Sequence, residues 1–108
     1  MKQLLLILGL SLGFTTLVYA NSFTGRFGLE NRNDPVIMSH LNGVAQAYTF
    51  ANAKITVDGY PEMFCTRSIS LTGELAAEAI RIAADALGDD GHPAVLVMYG
   101  FEEMFPCR

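Results

Sequence analysis

The sequence predicts a small all-helical domain of three or four helices closed by one disulfide. Three observations predict it. Apolar residues recur at three-to-four spacing in separate segments, the signature of helices with one buried face. Two turn signals, Asp58-Gly59-Tyr60-Pro61 and Gly88-Asp89-Asp90-Gly91, separate those segments. The only two cysteines, Cys65 and Cys107, bracket the last two of them.

Residues 1–20 read as a secretory signal peptide that lies outside the fold. Lys2 gives a positive start, Leu4 to Val18 is almost unbroken apolar sequence, and Val18-Tyr19-Ala20 resembles a cleavage site. The apolar run is shorter than the roughly 20 residues of a spanning helix, so no membrane association is expected after cleavage. The expected mature chain, residues 21–108, is one domain, and export points to the periplasm. The full chain carries a net charge of −4, and loss of Lys2 makes it more negative. An acidic surface disfavours nucleic acid and anionic membranes and suits a basic protein partner.

Export also bears on the cysteines. In an oxidising compartment two thiols tend to pair, and closing a loop from residue 65 to 107 contributes roughly 4 kcal/mol in the chain-entropy account. The rival reading is a nucleophilic Cys65 working with His40 or His92.

Residues 21–33 lack an apolar stripe, and Gly25 and Gly28 interrupt them. An irregular arm is expected, with Phe23, Phe27 and Leu29 folding back on the core. The first helix begins at Asp34-Pro35, a cap followed by a proline at the first helical position. Val36, Ile37, Leu41, Val44, Ala45, Tyr48 and Ala51 form its apolar face, which fades near Asn52. Lys54-Ile55-Thr56-Val57-Asp58 alternates, which suits a short strand or, equally, the end of the helix running into an extended loop. Ser68 and Ser70 are candidate caps for the next helix. Its buried face reads Leu71, Leu75, Ala79, Ile82, Ala83 and Ala86, against charged Glu74, Glu78, Arg81 and Asp85. Gly88 ends it. Pro93 opens the last helix, with Ala94, Val97, Met98, Phe101, Met104 and Phe105 as its stripe. Gly43 and Gly100 each leave room for close contact with a neighbour.

No phosphate loop, paired-cysteine redox motif, zinc-protease motif or serine-hydrolase elbow occurs. Asp89, Asp90 and His92 lack a fourth metal ligand. The expectation is therefore a binding module without enzymatic activity, metal or cofactor. Two loops are its candidate contact regions: Asp58, Tyr60 and Glu62 before Cys65, and Asp89, Asp90 and His92 at the inter-helix turn.

Phe64-Cys65, Ser70-Leu71-Thr72-Gly73-Glu74-Leu75 at a helix start, a proline-initiated last helix and terminal Phe105-Pro106-Cys107 form a frame. With Leu41-Asn42-Gly43-Val44-Ala45 on the first helix, it resembles the Rap/Tai type of immunity protein. The resemblance spans residues 35–108. It implies an exported helical protein that occludes the active-site cleft of a type VI secretion peptidoglycan amidase toxin, with a homodimer often presenting the surfaces. The alternative is another periplasmic helical binding or chaperone-like stress protein.

Overall fold

Helix formation here follows local capping chemistry closely, and the computed structural model describes residues 23–107. The leader reading of residues 1–20 lies outside the described residues. Four helices occur: α1 (Gly25–Glu30), α2 (Pro35–Val57), α3 (Gly73–Leu87) and α4 (Pro93–Met104). The described residues contain no strand, and none of their helices is long and apolar enough to cross a membrane.

The expected irregular arm is instead largely α1. Thr24 caps it, its hydroxyl accepting from the Phe27 N–H at 3.2 Å. Of the two glycines that obscured this helix, Gly25 is the tightly packed one, while Gly28 has room for a Cβ at ordinary contact distance. A Cβ on Gly25 would stand 2.2 Å from Leu96 Cδ1, so a side chain there would have to displace the end of Leu96 for α1 to lie this close to α4. Leu29 does pack on the core.

Helix α2 starts as expected, with Asp34 Oδ1 accepting from the Val36 N–H at 2.9 Å and Pro35 at the first position. Of the two readings of 54–58 the helix end holds and the strand does not: α2 runs on to Val57, and Asp58 is its C-cap ahead of the loop. The hydroxyls of Thr49 and Thr56 bond back to the Ala45 and Asn52 carbonyls, so these β-branched residues sit in the helix with their polar atoms satisfied. Leu41 and Ala45 are buried, whereas Val36 and Ala51 are exposed. No neighbour approaches Gly43.

The cap of α3 is Thr72, which accepts from the Leu75 N–H at 3.2 Å, not Ser68 or Ser70. Ser68 is unavailable because the chain turns tightly there. Arg67 and Ser68 take φ of 51° and 75°, and the Ile69 N–H donates to the Thr66 carbonyl at 3.0 Å. That is the geometry of a type I′ turn. The α3 core face is Ala76, Ala77, Ala79, Ile80 and Ala83. Leu71 is buried just ahead of the helix, Leu75 and Ile82 are half-buried, and Ala86 is exposed. Gly88 ends the helix at φ 80°.

The α3–α4 hairpin is the most extensive contact in the fold, followed by α2 on α3. Gly100 sets its spacing: an added Cβ would fall 2.1 Å from the Ala79 carbonyl oxygen. On α4 the buried residues are Pro93, Leu96, Val97, Gly100 and Phe101, while Met98 is exposed. Phe64, Phe101 and Tyr48 meet edge to face at 5.6–6.2 Å between ring centroids, and Phe105 abuts Phe101 at 6.1 Å. Of the aromatic residues that flank the cysteines, Phe64 thus belongs to the core and Phe105 packs half-buried against it.

Candidate functional site

Cys65 and Cys107 form the disulfide, with Cα atoms 5.0 Å apart. The backbone supports the bond independently: the Cys65 N–H donates to the Phe105 carbonyl at 2.9 Å. Asn52 holds the preceding residues. Its Oδ1 accepts from the Met63 N–H at 2.7 Å and the Phe64 N–H at 3.3 Å, and its Nδ2 donates to the Phe64 carbonyl at 2.9 Å. With both sulfurs bonded there is no free thiol among the described residues. The nucleophilic reading of Cys65 therefore falls. His40 stacks near Phe23, 4.7 Å between centroids, beside α1.

The first candidate loop leaves α2 through Asp58, whose carboxylate pairs with Lys54 one turn earlier. Gly59 takes φ 89°, and the Tyr60 N–H closes back onto the Ile55 carbonyl at 2.9 Å. Tyr60 is 67% exposed. Glu62 is exposed, its carbonyl oxygen 3.7 Å from Cys107 Sγ. Its side chain joins no ion pair among the described residues.

The residues of the second loop have internal partners. Arg26 Nη2 reaches Asp89 at 2.6 Å and Asp90 at 3.2 Å. The Arg26 N–H donates to the Asp89 carbonyl and the Gly25 N–H to the Gly91 carbonyl, at 2.7 and 2.9 Å. The Arg26 hydrogen bond and charge hold the Asp89 carboxyl below its ordinary value. His92 caps α4, its Nδ1 accepting from the Ala94 N–H at 3.1 Å. These groups clip α1 to the α3–α4 turn.

The structure does not bring the two loops together. One precedes Pro93 and the other touches Cys107, so the length of α4, about 18 Å at 1.5 Å per residue, separates them. Comparison of the chain with protein-family models, with curated proteins and with solved structures finds no match. The site is therefore read from its own geometry.

That geometry contains a feature the sequence reading missed. A groove of about 390 Å³ runs between the last turns of α2 and the connector after Glu62. Thr49, Ala53, Thr56 and Val57 form one wall, and Thr66 and Ile69 the other. Its lining residues Val57 and Ile69 are 82 and 52% exposed, and Phe50 and Tyr60, in the same stretch of chain, are 70 and 67% exposed. Phe50, Ala53 and Val57 stand at i, i+3 and i+7, a helical signal that an alternating reading of 54–58 hides. Of the candidate residues, only Glu62 lines this groove. Glu62 also lies within 4.8 Å, by its potential ligand atoms, of Cys65 and Cys107. The disulfide occupies both sulfurs, so that trio is not a metal site in this state.

Proposed function

We propose that the chain is a periplasmic immunity protein that binds a type VI secretion peptidoglycan amidase toxin and occludes its active-site cleft. The observation that carries the reading is the clasp. Phe64-Cys65 and Phe105-Pro106-Cys107, the residues on which the family resemblance rests, form one unit of disulfide, backbone bond and buried rings. Such a unit presents the surrounding surface in a fixed shape, which favours tight inhibition because little ordering is needed on binding. The acidic charge of the chain suits a basic enzyme face and would act mainly on association rate.

The exposed apolar side chains beside the groove favour a second reading, a chaperone-like protein that binds unfolded segments. One experiment separates them. The disulfide-bonded chain is mixed with a secreted amidase encoded beside it, and capture and peptidoglycan hydrolysis are measured. Stoichiometric capture with loss of hydrolysis supports the immunity reading. Full hydrolysis alongside suppressed aggregation of a reduced, unfolded client supports the chaperone-like one.

A further inference from the structure

The disulfide clasp has a third member. The carboxylate of Glu62 and the sulfurs of Cys65 and Cys107 all lie within 4.8 Å of one another. The main chain of Glu62 is there too, its carbonyl oxygen 3.7 Å from Cys107 Sγ. While the sulfurs are bonded to each other they hold no cation. Opening the bond changes that, because a thiol becomes a metal ligand once it gives up its proton.

What brings the three groups together does not depend on the sulfur–sulfur bond. The Cys65 N–H donates to the Phe105 carbonyl at 2.9 Å. Asn52 holds the amides of Met63 and Phe64, the two residues that join Glu62 to Cys65. Phe64 is fully buried, and Phe105, two residues before Cys107, packs on Phe101. These attachments fix the two cysteine backbones side by side, with Cα atoms 5.0 Å apart. Two thiolates on one tetrahedral zinc, each about 2.3 Å from the metal, stand roughly 3.8 Å apart. Rotation of the two cysteine side chains supplies that separation without moving the backbone.

The donor set also selects the ion. Two thiolates and one carboxylate suit zinc, with the fourth position of its tetrahedron left open, whereas magnesium and calcium demand oxygen ligands. Glu62 and Cys107 are exposed and Cys65 is half-buried, so an ion reaches the trio from solvent and water completes its shell. Arg67, the one cation on the connector 62–71, forms no ion pair among the described residues. It does not compete for Glu62, and it offsets the net negative charge that three anionic ligands leave on a divalent ion.

We infer that Cys65, Cys107 and Glu62 form a zinc site in the dithiol state of the chain, so that the clasp closes either by a disulfide or by a metal ion. A dithiol reductant opens the bond by exchange; it ends as its own disulfide and leaves two protein thiols. Zinc then displaces one proton from each thiol and binds both sulfurs, and no electron moves in that step. The inference is independent of which partner the chain binds.

The test uses the whole chain reduced by a phosphine, which with water yields two thiols and the phosphine oxide. Cobalt(II) and zinc are the probes. Cobalt should give thiolate-to-metal charge-transfer and tetrahedral d–d absorption at one ion per reduced chain, and zinc should displace it. The disulfide-bonded chain should bind neither ion. Zinc should raise the melting midpoint of the reduced chain and leave that of the oxidised chain unchanged. Cys107→Ser should lose the two-thiolate cobalt spectrum. Glu62→Ala keeps both cysteines, and unchanged melting of its disulfide form shows that it folds. Its reduced form should bind zinc at least about tenfold more weakly. Absence of the cobalt spectrum, equal affinity in Glu62→Ala, or equal uptake in denaturant overturns the inference. So does one ion shared between two chains, or a reduced chain that stays unfolded at saturating zinc.

Discussion

Gly100 and Gly43 both sit inside helices, but their surroundings are opposite. A Cβ at Gly100 would strike the backbone of Ala79, which has no flexible end to move aside. Gly100→Ala is expected to destabilise the fold by about 1–3 kcal/mol through overpacking. A Cβ at Gly43 meets nothing within 4 Å. Gly43→Ala is expected to stabilise by roughly 0.5–1 kcal/mol, the intrinsic helix preference for alanine. Urea denaturation of the pair measures both signs. Sequence alone marked the two glycines alike, since the partner that distinguishes them comes from α3, far away in the chain. The same limit applies to capping. Ser68, Ser70 and Thr72 are all competent caps in composition, and the left-handed backbone at Arg67 and Ser68 decides among them. That turn is strained for residues with a side chain, at about 1–2 kcal/mol each. Replacing Arg67-Ser68 by Asn-Gly, the pair type I′ turns favour, should raise the denaturation midpoint.

Among the elements, α1 is the most weakly held. It has six residues, too few to be stable alone. The charges fastening it, Arg26 with Asp89 and Asp90, are largely exposed. The pH dependence follows from the lowered Asp89 carboxyl. A depressed carboxyl supports the folded state above its unfolded value, here 3.8, and loses that support as pH falls through the lowered value. The α1 clip should therefore open below about pH 4, and salt should move the opening to higher pH. In an acid titration followed by NMR, the Gly25 and Arg26 amides should reach coil positions before that of Phe101. Arg26→Ala should show the α1 change at neutral pH. Simultaneous loss of all three signals would contradict this ordering. Glu78, lowered in the same way by Arg81, titrates within α3 and leaves α1 in place. The three longer helices were legible in the sequence because each has a strong cap or an opening proline and a periodic stripe. Helix α1 was not, because its two glycines break the local pattern, and the close approach of Gly25 to Leu96 lies far off in the chain. The end of α2 stayed open between strand and helix end because isoleucine, threonine and valine at 55–57 favour strands intrinsically, and the bond of the Thr56 hydroxyl to the Asn52 carbonyl is visible only in three dimensions.

For the whole molecule, the disulfide and the aromatic cluster act together. Phe64 and Phe101 are fully buried against each other, and Cys65 of the bond directly follows Phe64 in the chain. Replacing both Cys65 and Cys107 by serine should lower stability by roughly 4 kcal/mol in the chain-entropy account, measured by thermal and urea unfolding. Phe101→Ala should cost a similar amount, about 3–5 kcal/mol, by leaving a cavity. The disulfide and its helical frame were readable from two cysteines and a leader-like segment. The groove was not, because its walls come from the end of one helix and from a turn whose shape depends on left-handed backbone.

The two ends of the described chain lie at opposite ends of α4. Residues 24–26 run beside Asp89 and Gly91, while Cys107 sits against Glu62. This dictates how the protein should be attached to anything else. A fluorophore, purification handle or sensor surface joined ahead of Phe23 stands away from the groove. The same attachment after Cys107 crowds Glu62 and the groove that it lines. Binding assays on this chain are best anchored from the amino-terminal side, with the carboxyl-terminal fusion kept as a deliberate steric block.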